Sequence, residues 1–275
     1  AMTFTAGTGT GGTFTQTDDG STIATGSGNI TITTDVIVLN TSANTITGTG
    51  TITLQPATGS TTIGIGDSAT GTFDLDANEI AALTNGFSSI TIGASGGSGA
   101  IDINAITFTD PVTIRGGAIT VTALQAGANN ITLTSTSTID EDSDDTTVDI
   151  TTSETLSLTA EGAIGATGGS GPLDLTVGTL VATTDAGGIF LLESSALTIG
   201  TGGVKTTAAN AAIEITLTAG DLTLQDDITA DGSGTVTLAV LGADASLITG
   251  DTNDDIASTS GAISISFSKT GMASG

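Results

Sequence analysis

Short runs in which Ile, Val or Leu alternate with Thr, Ser or Asp recur from one end of the chain to the other. They include Ile30-Thr-Ile-Thr33, Thr51-Ile-Thr-Leu54, Ile90-Thr-Ile92, Val112-Thr-Ile114 and Ile131-Thr-Leu-Thr134, and later Ala196-Leu-Thr-Ile199, Ala212-Ile-Glu-Ile-Thr-Leu217 and Thr235-Val-Thr-Leu238. Each run puts aliphatic groups on one side and hydroxyls or carboxylates on the other, the period of a half-buried strand. Gly, Asn, Asp and Ser separate the runs and the chain has three prolines, so the connections read as tight turns. Ile52, Ile63 and Phe73, then Ile90, Ile101 and Val112, fall ten or eleven residues apart. Coils of ~22 residues, ~12 of them, would stack into a rod of roughly 60 Å.

The predicted architecture is an all-β, right-handed parallel β-helix, with residues 1–275 forming a single β-helical segment of a larger protein. A string of two or three immunoglobulin-like sandwiches is the competing arrangement. The small residues at every turn and the absence of Trp and Tyr favour the solenoid. An internal echo points the same way: Gly93-Ala-Ser-Gly-Gly-Ser-Gly-Ala-Ile-Asp-Ile103 returns as Gly165-Ala-Thr-Gly-Gly-Ser-Gly-Pro-Leu-Asp-Leu175. One stretch breaks the pattern. Asp76 as N-cap, Glu79 as its capping-box partner, Leu75 and Ile80 as a hydrophobic staple and Gly86 as a stop predict one short helix near residues 76–85.

Composition narrows the function classes. Aromatic residues make up 3% and Trp, Tyr, Cys and His are absent, while a mean hydropathy of +0.32 and 12% charged residues argue against disorder. The net charge of −26 comes from 29 acids against Lys205, Lys269 and Arg115. Such a field repels phosphate backbones and anionic lipid, so no nucleic-acid partner is expected. No apolar run approaches the ~20 residues of a membrane-spanning helix, and direct membrane insertion is not expected. Without Cys there is neither disulfide nor thiolate metal site.

The stretch Thr53-Leu-Gln-Pro-Ala-Thr58 through Thr62-Ile-Gly-Ile-Gly66, followed by the helix and Gly86-Phe-Ser-Ser-Ile-Thr-Ile-Gly93, resembles repeats of very large filamentous-haemagglutinin-like bacterial surface proteins. Ala105-Ile-Thr-Phe-Thr-Asp-Pro-Val-Thr-Ile-Arg-Gly116 does so too. The resemblance covers residues 50–120. It implies an exported β-helical adhesin segment at the bacterial cell surface, a stalk or contact surface for a host or neighbouring cell or for sister filaments. It transfers no catalytic residue.

Two acidic stretches offer oxygen ligands at alternate positions: Asp140, Asp142 and Asp144, and Asp251, Asn253 and Asp255. Calcium favours oxygen-rich loops of this kind, although neither is an EF-hand. The sixth positions hold Asp145 and Ile256 in place of Gly, and the twelfth hold Thr151 and Ala262 in place of Glu. No cofactor is otherwise required. Some β-helices cleave acidic polysaccharides, chemistry that calls for a general base or carboxylate pair and cationic groups. With a single Arg, no His and no Tyr, the chain is expected not to be an enzyme, and Asp110 near Arg115 reads as a structural pair. Thr-x-Thr steps such as Thr31 and Thr33 or Thr51 and Thr53 raise ice binding as an alternative, but along the sequence they do not recur at one coil position.

Overall fold

The computed structural model describes residues 1–7, 11–17, 20–167, 171–208, 210–250 and 254–268. They form an all-β parallel solenoid that divides into two compact units, Ala1–Ser137 and Thr138–Gly275. The strand pairings within each unit are parallel, which excludes immunoglobulin-like sandwiches with their antiparallel sheets.

In the first unit the strands Met2–Ala6, Ile30–Thr34, Thr51–Gln55, Ser89–Ile92, Val112–Gly116 and Ile131–Ser135 lie one above another. Alternation along each strand becomes segregation across the wall. Ile30, Ile52, Ile90, Val112 and Ile131 make one inward rank, and Ile32, Leu54, Ile92, Ile114 and Leu133 a second. None of the ten is more than 2% exposed. Each contributes on the order of 1.5–3 kcal/mol by leaving water, so every coil adds a thin apolar layer to the one below. A second wall carries Phe73–Leu75, Ile63–Ile65, Ile101–Ile103 and Ile119–Val121, and short strands such as Ile23–Ala24 on Ile46–Thr47 complete the coils.

Coil length varies about the expected ~22 residues: Thr33 meets Gln55 and Gly93 meets Arg115, each 22 residues on, but Val112 meets Ile131 19 residues on, Ile213 meets Val236 23 on and Val236 meets Ile263 27 on. Phe73 departs from the expected march of strand centres. It does not open the next wall; it stacks on Ile63 in the same wall, as an extra rung inserted in the excursion. The helix that follows is Ala77–Ala81, shorter than the expected 76–85. Its N-terminus is as the sequence dictates, with the Glu79 N–H donating to Asp76 and the Asp76 N–H donating to Glu79. Its C-terminus is set by the coil below, not by Gly86. Ala82 is the C-cap, its carbonyl accepts from Ile46, the Thr84 N–H donates to the Ile46 carbonyl, and Leu83 bridges to Ile46 as a strand residue.

In the second unit Ile139, Ile164 and Ile189 bridge in parallel, and Ile189–Glu193, Ile213–Leu217, Val236–Val240 and Ile263–Phe267 continue the stack. The long strands Ile150–Ala160, Leu173–Thr184 and Leu197–Thr206 pair with register shifts at Thr152/Thr155 and Leu180/Ala182. Such irregularities bend a strand round a corner without ending it. Gly93 and Gly165, the first residues of the sequence echo, have φ +95 and +63 and each faces the carbonyl of the overlying coil. A Cβ would lie 1.9 Å from the Arg115 oxygen at Gly93 and 2.1 Å from the Phe190 oxygen at Gly165. The echo does not mark one corner used twice: Gly93 leaves the wall of Ile90 and Val112, whereas Gly165 leaves the rank of Ile139, Ile164 and Ile189, and at each only glycine fits both the dihedral and the space.

Candidate functional site: a buried carboxylate cluster

The acids singled out by alternate spacing do not converge. Asp142 and Asp144 are exposed in the turn after strand Ile139–Glu141, where the Ser143 hydroxyl donates to Asp142. Asp140 is on that strand, on the face opposite its inward Ile139 and Glu141; burial raises its pKa and leaves its Oδ1 without a hydrogen-bond partner. Asp255 is exposed, with its N–H donating to Asp227, and Asp251 and Asn253 lie outside the described residues.

A different set of acids comes together instead. Glu141 takes the inward position two residues after Ile139, at the point where the rank would otherwise continue with an aliphatic group. Asp149 returns the chain from the exposed turn into strand Ile150–Ala160, and Asp174 arrives from the next coil within strand Leu173–Thr184. The coils are locked together here: the Asp149 N–H donates to the Asp174 carbonyl at 2.9 Å, and the Asp174 N–H donates to Asp149 Oδ2 at 2.9 Å. Glu141, Asp149 and Asp174 are 4%, 4% and 3% exposed.

Gly171 lies over them. A Cβ on Gly171 would lie 2.1 Å from Glu141 Oε1 and 2.8 Å from Asp144 Oδ1, so the backbone at Gly171 passes directly over both carboxylates. Both oxygens of Glu141 and both of Asp174 are buried with no hydrogen-bond donor. Glu141 and Asp149 sit side by side, a contact that two charged carboxylates tolerate only with a proton or cation between them. Burial first, then the charges of Asp149 and Asp174, push Glu141 up to about 8; burial pushes Asp149 up to about 7 and Asp174 up to about 6. Among the described residues every charge acting on the three is negative. Among the described residues no three acids already surround one point closely enough to hold a metal ion.

Sequence reasoning missed this set because it grouped acids by spacing along one strand. The parity of Glu141 with Ile139 marked it as inward-facing, but nothing local tied it to Asp174, one coil away. Asp110, Arg115 and Lys205 act elsewhere. Asp110 accepts from the Gly86 and Phe87 N–H groups, and Arg115 Nε donates to the Gly93 carbonyl, so the expected Asp110 and Arg115 pairing gives way to two separate backbone clamps. Lys205 is exposed and contributes to lowering the pKa of Asp226, after the Gly202 and Asp227 N–H groups that bind its carboxylate.

On the outer wall of the first unit Thr3, Thr31, Thr53, Thr91, Thr113 and Thr132 stand in register. This corrects the expectation that the Thr-x-Thr steps do not recur at one coil position. The rank two residues further along is mixed, reading Thr5, Thr33, Gln55, then Arg115 and Thr134, with Gln55 donating to Thr33. The wall thus carries one threonine ladder beside a rank interrupted by Gln55 and Arg115. Comparison of the chain with protein-family models, curated proteins and solved structures finds no match.

Proposed function

We propose that this chain is a structural and adhesive segment of a large extracellular bacterial surface protein of the filamentous-haemagglutinin-like kind, acting as a stiff stalk or contact surface and not as an enzyme. The observation that carries this reading is the threonine ladder from Thr3 to Thr132. It is a wall of parallel strands whose inward positions are filled by aliphatic groups and whose outward positions present hydroxyls in register. Parallel pairing couples each coil only to its neighbours, so the segment lengthens by repetition and carries load through many equivalent backbone hydrogen bonds. The ordered hydroxyl and backbone surface suits lateral contact with a host or neighbouring cell or with another copy.

Beads coated with the full chain and drawn over epithelial or bacterial cell layers under flow test the reading. Retention several-fold above albumin-coated beads is expected. Replacing Thr31, Thr53, Thr91 and Thr113 together by Lys should abolish it. Retention equal to albumin, or unaffected by the ladder substitutions, would overturn the adhesive role of this wall.

A further inference from the structure

We propose that Glu141, Asp149 and Asp174, closed over by Asp144 and Gly171, form a binding site for calcium. The reasoning is one of charge compensation. A carboxylate removed from water must find donors, a cation or a proton. Glu141 and Asp174 have all four oxygens buried without a donor, they are 96% and 97% buried, and among the described residues no side-chain cation acts on them. Asp149 Oδ2 accepts from the Asp174 N–H. The acids come from two successive coils, so a cation drawn in among them would tie the coils together and pull the exposed turn carrying Asp144 inward.

Hard oxygen ligands point to calcium or magnesium. Magnesium demands near-octahedral geometry and retains several waters, which suits this covered position poorly. Calcium accepts irregular coordination by mono- and bidentate carboxylates and carbonyls, and is the better fit. This assignment differs from the alternate-position set, since of Asp140, Asp142 and Asp144 only Asp144 borders the cluster. It is independent of the adhesive reading above.

The test is thermal melting and titration calorimetry of the full chain, freed of metal with chelator, at pH 8 with calcium chloride, magnesium chloride or neither. Calcium at ten times its dissociation constant should raise Tm by about 2–4 °C, with magnesium at the same concentration giving less. Glu141→Gln and Asp174→Asn remove charge while keeping shape, so both variants should fold and melt at or above the metal-free parent. Each should weaken calcium binding at least tenfold. Three results would overturn the site: no calcium-dependent change in the parent, a change fully retained in the double variant, or stabilisation obtained only by acidification and never by calcium.

Discussion

Glu193 shows how a single side chain can couple this fold to pH. It is fully buried on strand Ile189–Glu193, in the rank that holds Leu175 one coil below and Leu217 one coil above. Its carboxyl accepts from the Ser195 N–H and hydroxyl and from the Val177 N–H. Burial nevertheless outweighs these donors and pushes its pKa from 4.5 up to about 7. A raised acid pKa means the folded state holds the proton more tightly than the unfolded chain. The stabilisation is complete below about pH 4.5, declines as the pH rises through 7, and is gone above that. A shift of this size corresponds to on the order of 3 kcal/mol. Glu193→Gln removes the titration, so in urea unfolding the parent's advantage over the variant should shrink by that amount between pH 4.5 and 7.5. An advantage constant across that range would show that Glu193 keeps an ordinary pKa.

The helix Ala77–Ala81 is five residues long, too short to persist on propensity alone. Two clamps hold it. The capping box between Asp76 and Glu79 was legible in the sequence, because the residue types and their spacing are local. The second clamp was not. Glu79 Oε1 also accepts at 2.7 Å from the N–H of Leu39, a buried residue 40 positions earlier, and so fastens the excursion to the coil beneath. Asp76→Ala should therefore cost about 1 kcal/mol, the usual worth of an N-cap. Glu79→Ala should cost roughly 1–3 kcal/mol more, because it strands the Leu39 N–H as well. Chemical denaturation of the two variants and the double variant checks this, and equal losses would show that the Leu39 contact carries nothing.

For the molecule as a whole, the repeating architecture makes the last described coil different from the rest. Ile263, Ile265 and Phe267 continue the inward ranks of Val236, Leu238 and Val240, yet they are 45%, 40% and 48% exposed. An uncovered strand edge beside an apolar patch is a template for pairing. The isolated 275-residue chain is accordingly expected to self-associate with rising concentration in sedimentation velocity, and Ile265→Lys with Phe267→Lys should return it to monomer. Association unchanged by the pair of substitutions would place the contact elsewhere.

The all-β character of the chain and its preference for a solenoid were legible in the sequence, and the parallel pairing of the strands removed the sandwich alternative. Two-residue alternation, repeated along the chain and punctuated by glycine, calls for walls whose inner side is apolar, whereas the echoed glycine-rich runs came to serve different corners of the coil. The N-terminus of the helix was written locally. Tertiary structure alone decided which residues of different coils meet, because a solenoid juxtaposes positions separated by a coil length that insertions change. That is why Phe73 became an added rung, why the outward threonines fell into one rank, and why Glu141 and Asp149 met Asp174 while the evenly spaced Asp142 was left in water.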